Sequence, residues 1–84
     1  MMVKILYFAA LRERLERSEE QLALPPEVAT AGALRAHLAA RGGAWEALAN
    51  LRNLRVAVNQ RMAGADAPLA DGDEVAFFPP VTGG

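Results

Sequence analysis

Cysteine is absent from the 84-residue chain, which excludes disulfides, thiolate nucleophiles and thiolate metal sites. Histidine occurs once, at His37, so neither a catalytic triad nor a histidine-rich zinc site can be assembled. Lysine also occurs once, at Lys4; nine basic and ten acidic side chains alternate along the chain to a net charge of −1. That balance provides no basic stripe for nucleic acid. No apolar run approaches the roughly 20 residues of a membrane span, and the N-terminus lacks the apolar core and cleavage site of a signal peptide. The expectation is a cytoplasmic protein that binds neither nucleic acid nor membrane.

What is present is ordinary globular material, 52% hydrophobic and 23% charged. That is too apolar for a disordered chain and short enough for one small core. A core of this size leaves little room for an internal active site. With no nucleophile and base in view, a self-contained enzyme is not expected.

Val3 to Ala9, VKILYFA, alternates as a strand, with Val3, Ile5 and Tyr7 on one face and Lys4, Leu6 and Phe8 on the other. Leu11 and Leu15 at i,i+4 predict a short helix over Ala10 to Arg17. Glu20 to Leu24 alternates again and stops at Pro25-Pro26. Thr30 is placed to cap a helix over Ala31 to Arg41, with Leu34 and Leu38 as its buried stripe and Gly42-Gly43 as its end. His37 lies on the flank of that stripe and reads as a surface or boundary residue. Trp45, Leu48 and Leu51 predict a helical turn that closes one end of the core, with Trp45 as packing.

Leu54 to Asn59 and Arg61 to Ala63 read as two strands joined by a tight turn at Asn59-Gln60. Leu69 is a core plug within a loop, and Asp71-Gly72-Asp73 is a turn. Its carboxylates lack the ligand alternation of a calcium loop and read as turn residues. Glu74 to Phe78 is the last strand, with Val75 and Phe77 facing one way and Glu74, Ala76 and Phe78 the other.

This order predicts an α+β fold of the ubiquitin-like β-grasp type, a mixed sheet with one main helix packed on one face. Its first and last strands would be neighbours. Phe8 and Phe78 would then share a sheet face that Lys4 and Glu74 assign to solvent, with Met62 of the short strand extending the patch. Residues 1–78 form the expected domain. Residues 79–84, Pro-Pro-Val-Thr-Gly-Gly, form an extended tail that two prolines exclude from the sheet. Fully extended, six residues reach roughly 20 Å.

Three stretches carry a resemblance: Tyr7-Phe8-Ala9, Val58-Asn59-Gln60 and, above all, PLADGDEVAFFPPVTGG from Pro68 to Gly84. In element order and in the Phe-Phe-Pro-Pro entry into Gly-Gly, the chain resembles the small, sulfur-carrying subunits of molybdopterin synthase. The resemblance implies that the Gly84 carboxylate is adenylated at the expense of ATP by an enzyme related to the ubiquitin-activating enzymes, then becomes a thiocarboxylate. It further implies that the tail of Pro79, Pro80, Val81, Thr82 and Gly83 enters a large catalytic subunit. There Gly84 would give its sulfur to cyclic pyranopterin monophosphate, building the molybdopterin dithiolene.

By the same resemblance Phe8, Met62 and Phe78 face the partners, the assembly is a heterotetramer, and the chain holds no metal or cofactor. Two related readings stay open, a sulfur carrier for the thiamine thiazole and a modifier joined to protein lysines through Gly84. A passive β-grasp interaction module with an inert tail is a third.

Overall fold

The computed structural model describes residues 1–79. Five strands, β1 (Met2–Tyr7), β2 (Glu19–Ala23), β3 (Arg55–Val58), β4 (Arg61–Ala63) and β5 (Glu74–Phe78), form one sheet in the order β2-β1-β5-β3-β4. The pair β1/β5 is parallel and the other pairs are antiparallel. Helices α1 (Ala9–Leu15), α2 (Ala31–Ala39) and α3 (Ala47–Asn50), with a 3₁₀ turn at Gly43–Glu46, complete the β-grasp.

The inner face of the sheet follows the alternation in the sequence. Val3, Ile5, Tyr7, Val75 and Phe77 are buried against Leu11 of α1, Leu34 and Leu38 of α2 and Leu48 of α3, each at most 1% exposed. Leu69 plugs the core from its loop. Truncating one of these leucines to alanine would cost about 2 to 5 kcal/mol.

Local chemistry sets the element ends. The Ala33 N–H donates to Thr30 Oγ1 at 3.1 Å, the N-cap expected for α2. The other two amides of that turn are also spent, Ala31 N–H on the Ala67 carbonyl and Gly32 N–H on the Ala65 carbonyl, both at 2.9 Å. Gly32 suits this close approach, because a Cβ would stand 3.0 Å from the Ala65 Cβ and 3.1 Å from its carbonyl oxygen, tighter than ordinary contact. The helix stops at Ala39, two residues short of expectation, where the Arg41 and Gly42 amides tighten onto the Leu38 and Ala39 carbonyls.

Asn59 and Gln60 both have positive φ, 52° and 68°, the requirement of a two-residue type I′ hairpin between β3 and β4. The Asn59 side chain then ties this hairpin to the start of β5, donating to Asp73 Oδ1 and accepting from the Glu74 N–H, each at 3.0 Å. Asp71 accepts from the Met2 amide and Asp73 from the Ala70 amide. These two carboxylates are structural, as a turn reading requires. Donation from Asn59 and from the Ala70 amide holds Asp73 below the usual carboxylate range.

One polar cluster closes the core at the end of α2. Glu20, on the inner side of β2, accepts the Tyr7 hydroxyl at 2.9 Å and both Arg41 Nη atoms at 2.8 and 3.1 Å, with Arg17 at 3.2 Å. The Arg41 guanidinium also lies 4.3 Å above the Trp45 ring, which meets Tyr7 edge-on at 5.5 Å. Burial works to raise the Glu20 carboxyl, but Arg41, the Tyr7 hydroxyl and Arg17 together outweigh it and bring it below its ordinary 4.5. Burial, reinforced by the hydrogen bond to Glu20, pushes the Tyr7 phenol well above its ordinary 10.0.

A folded-state carboxyl with a lowered pKa stabilises the fold above the unfolded-state value and loses that contribution as pH falls through the folded one. A raised phenol contributes fully below pH 10.0 and less as pH climbs past it. Glu20→Gln is therefore expected to cost about 1 to 3 kcal/mol at pH 7, the worth of hydrogen bonds to a charged group. The gap to wild type should narrow as pH falls below 4.5 and through the lowered folded-state value, beneath which both side chains are neutral. Urea unfolding at pH 7 and pH 3 measures it; an equal gap at both values would remove the carboxylate's charge as the cause.

Candidate functional site

The outer face of the sheet is where the described residues depart from a simple polar-out pattern. Cross-strand register aligns one rung over four strands, Leu6 opposite Ala76, Ala76 opposite Ala57 and Ala57 opposite Met62. At about 4.8 Å per strand, this apolar strip is roughly 14 Å long. Its two middle positions are methyl groups, so the strip is shallow in the centre and bulky at its ends. None of Leu6, Phe8, Met62, Ala76 and Phe78 belongs to the core cluster, and the helical layer packs on the opposite face.

Phe8 lies just beyond the end of β1, where the sequence had placed it inside a longer strand. It is the N-cap of α1, still extended at φ −120° and ψ 157°, and Ala9 then turns the chain with φ 55°. The extended geometry preserves the alternation, so Phe8 stays on the outer side and is 44% exposed, while Tyr7 is buried. The Phe8 amide donates to the Phe77 carbonyl at 3.2 Å, which sets Phe8 beside the end of β5. Phe78, half-buried, is the last residue of that strand, and Arg55 of β3 is its direct cross-strand partner.

Of the three residues expected to face a partner, two are brought side by side and the third shares their sheet face at a distance. Phe8 and Phe78 adjoin at the β1/β5 end, and Met62, 60% exposed, stands at the far end of the strip on β4. The charges of this face lie around the patch. Lys4 is 3.6 Å from Glu19 across β1 and β2, and Glu74 is the cross-strand partner of Lys4 on β5. The alanines at the middle of the strip and Arg55 were not singled out by sequence reasoning. Outward alternation on β3 was the available signal, and it becomes informative only with the register known.

The root of the tail is fixed by its position in the sheet. β5 is the central strand, bonded to β1 on one side and β3 on the other, so the chain leaves the sheet from its middle at Phe78. Pro79 follows half-buried. Pro80, Val81, Thr82, Gly83 and Gly84 lie outside the described residues. His37 is half-buried on α2, and no cluster of three metal-binding side chains occurs among the described residues.

Comparison with known proteins locates this arrangement. The chain is 46% identical over 83 residues to the molybdopterin synthase sulfur carrier subunit of Escherichia coli strain K12, covering 99% of this chain and all of the relative. It is 41% identical to the protein of the same name from Haemophilus influenzae, with the same coverage. Among solved structures, SAMP1 from Haloferax volcanii superposes with a TM-score of 0.81 at 26% identity, each chain covered completely. Residues 5–84 match the ThiS family. A central last strand, an open apolar sheet face and a match that runs through Gly84 all agree: the chain belongs to the ThiS family.

Proposed function

We propose that this chain is the sulfur carrier of molybdopterin synthase and that Gly84 is its chemical group. The observation that carries the reading is 46% identity along the whole of a relative bearing that name. In this reading an adenylyltransferase joins the Gly84 carboxylate to AMP with loss of pyrophosphate. A sulfur donor then displaces AMP, leaving a terminal thiocarboxylate. Inside the large subunit the sulfur passes to cyclic pyranopterin monophosphate, and water restores the carboxylate. The reactions take place in the cytoplasm, and two carriers and two large subunits form the heterotetramer.

The physical features of the chain fit these roles. No side chain contains a thiol, so the C-terminal carboxylate is the group left to hold sulfur. A carboxylate resists attack until it has a good leaving group, which ATP supplies. Gly83 and Gly84 have no Cβ and pass a narrow channel, with the carbonyl open to attack. Pro79 and Pro80 stiffen the root of the tail and lower the ordering cost on insertion, about 1 to 2 kcal/mol per residue.

Docking belongs to the outer sheet face. Phe8, Phe78 and Met62 supply apolar contact, and the low centre at Ala57 and Ala76 lets a partner surface approach the sheet. Because that face supplies most of the buried area, the carrier is expected to bind the large subunit without sulfur and with Gly83-Gly84 removed. Gel filtration of the truncated chain with the large subunit at micromolar concentration tests this division; loss of the complex would make the tail the anchor.

Phe8→Ala and Phe78→Ala should weaken that complex by tenfold or more, about 1.4 kcal/mol each, while costing the isolated domain little. Phe77→Ala on the inner face is the contrast, with an expected loss of about 3 to 5 kcal/mol of stability. Melting losses at Phe8 and Phe78 as large as at Phe77 would return both to the core and sink the docking assignment.

The Gly84 assignment has its own measurement. Incubation with ATP, the adenylyltransferase and a sulfur source should add about 16 Da, one oxygen replaced by sulfur. One residue added after Gly84 should leave the melting temperature unchanged and abolish dithiolene formation, since a misplacement of about 1 Å can cost a hundredfold in rate. Normal sulfur transfer by the extended chain, with the added residue still attached, would falsify the role of Gly84. A mass gain of a lysine-containing target at the expense of the free carrier would favour the modifier reading instead.

A further inference from the structure

The short strand β4 leaves the sheet open at one edge, and there a cleft of about 230 Å³ lies between the β3/β4 hairpin and the first turn of α2. Its apolar lining comes from Leu54, Val56, Met62, Ala63 and Phe77, with Arg55 among the lining residues. Met62 and Arg55 also belong to the outer sheet face, so the cleft continues the docking strip around the β4 edge.

Size and charge narrow what this cleft accepts. Small-molecule sites start near about 300 Å³, so the space suits one side chain better than a cofactor. The first three amides of α2 are bonded to the Ala67 and Ala65 carbonyls and to Thr30 Oγ1, which leaves no free donor there for an anion. Arg35, on the α2 wall, is also spent, donating to the Leu48 carbonyl and, at 2.6 Å, to the Leu51 carbonyl. Arg55 is different. It is exposed, it is rooted in a strand bonded on both sides, and among the described residues it has no carboxylate within ion-pair distance.

We infer that the β4-edge cleft and Arg55 form a second contact for the large subunit, taking one apolar side chain of that partner next to a carboxylate that pairs with Arg55. The inference rests on the docking role of the outer face and extends it from a flat apolar strip to a pocket with a charge requirement. An apolar strip alone binds without strong orientation, whereas an anchored side chain beside an ion pair fixes rotation about the sheet normal. That orientation determines where the chain leaving Phe78 is aimed.

The test is a binding titration of the full-length carrier against the large subunit, with wild type, Arg55→Glu, Arg55→Lys, Ala63→Leu and Phe78→Ala, at low and high salt. Arg55→Glu is expected to weaken binding about tenfold at low salt, with the difference shrinking as salt screens the pair. Arg55→Lys should recover most of the loss. Ala63→Leu, which fills the cleft from β4, should weaken binding by a similar factor at both salt concentrations; if its melting temperature shows that it does not fold, the exposed Arg55 variants decide the matter. Binding within twofold of wild type for Arg55→Glu and for any folded Ala63→Leu overturns the inference. In that event a weakened Phe78→Ala leaves the flat docking face standing without its cleft, and an unaffected Phe78→Ala removes both.

Discussion

The pairing of the last strand into the centre of the sheet is the constraint on which the rest depends. β5 is hydrogen-bonded to β1 in parallel and to β3 antiparallel, so the first and last strands of the chain are neighbours. The Met2 amide reaches Asp71 across 69 residues of sequence, and the Gly72 amide returns to the Met2 carbonyl at 2.7 Å. Contacts of such separation require long loops to close, an entropic cost that the core contacts of β5 offset. The gain is mechanical. β5 is bonded on both sides, so Phe78, where the chain leaves the sheet, is held by the pairing of the central strand.

The same pairing separates two kinds of chemistry onto opposite faces. On the inner side, Val75 and Phe77 complete the core with Tyr7, and the Glu20, Arg41 and Trp45 cluster seals its end. Each polar group there is matched to another, and no side-chain nitrogen or oxygen among the described residues is buried without a partner. A carboxylate bound by two guanidinium groups and a phenol is held in its charged form and is poorly suited to accept or deliver a proton. The cluster is structural.

On the outer side, alternate residues of the same strands make a surface whose composition is unusual for solvent. Leu6, Ala76, Ala57 and Met62 run across four strands, with Phe8 and Phe78 at one end. Ala57 is only 8% exposed although it faces outward. A larger residue at Ala57 or Ala76 would raise a ridge across the face and hold a partner's backbone away from the sheet. An inert interaction module would have equal use for such a strip, so it is the likeness to sulfur carrier subunits over the full chain that gives the face its proposed partner.

Several features were legible in the residues alone because they depend on short-range physics. Period-two alternation gave the two faces of β1 and β5, the Thr30 cap marked the start of α2, whose end at Ala39 precedes the Gly42-Gly43 signal, and Asn59-Gln60 marked a hairpin that needs positive φ twice. The FFPPVTGG ending carries the family resemblance by itself. Other features required the tertiary structure. The Phe8 position just outside β1 follows from the Ala9 turn, which no periodicity announces. The ring of Glu20, Tyr7, Arg41 and Trp45 joins residues far apart in the chain, and the Leu6 to Met62 strip and the Arg55 cleft exist only once the strand order and register are set. A sequence specifies which face each side chain takes through its immediate neighbours, but which faces meet is decided by closure of the sheet, a property of the whole chain.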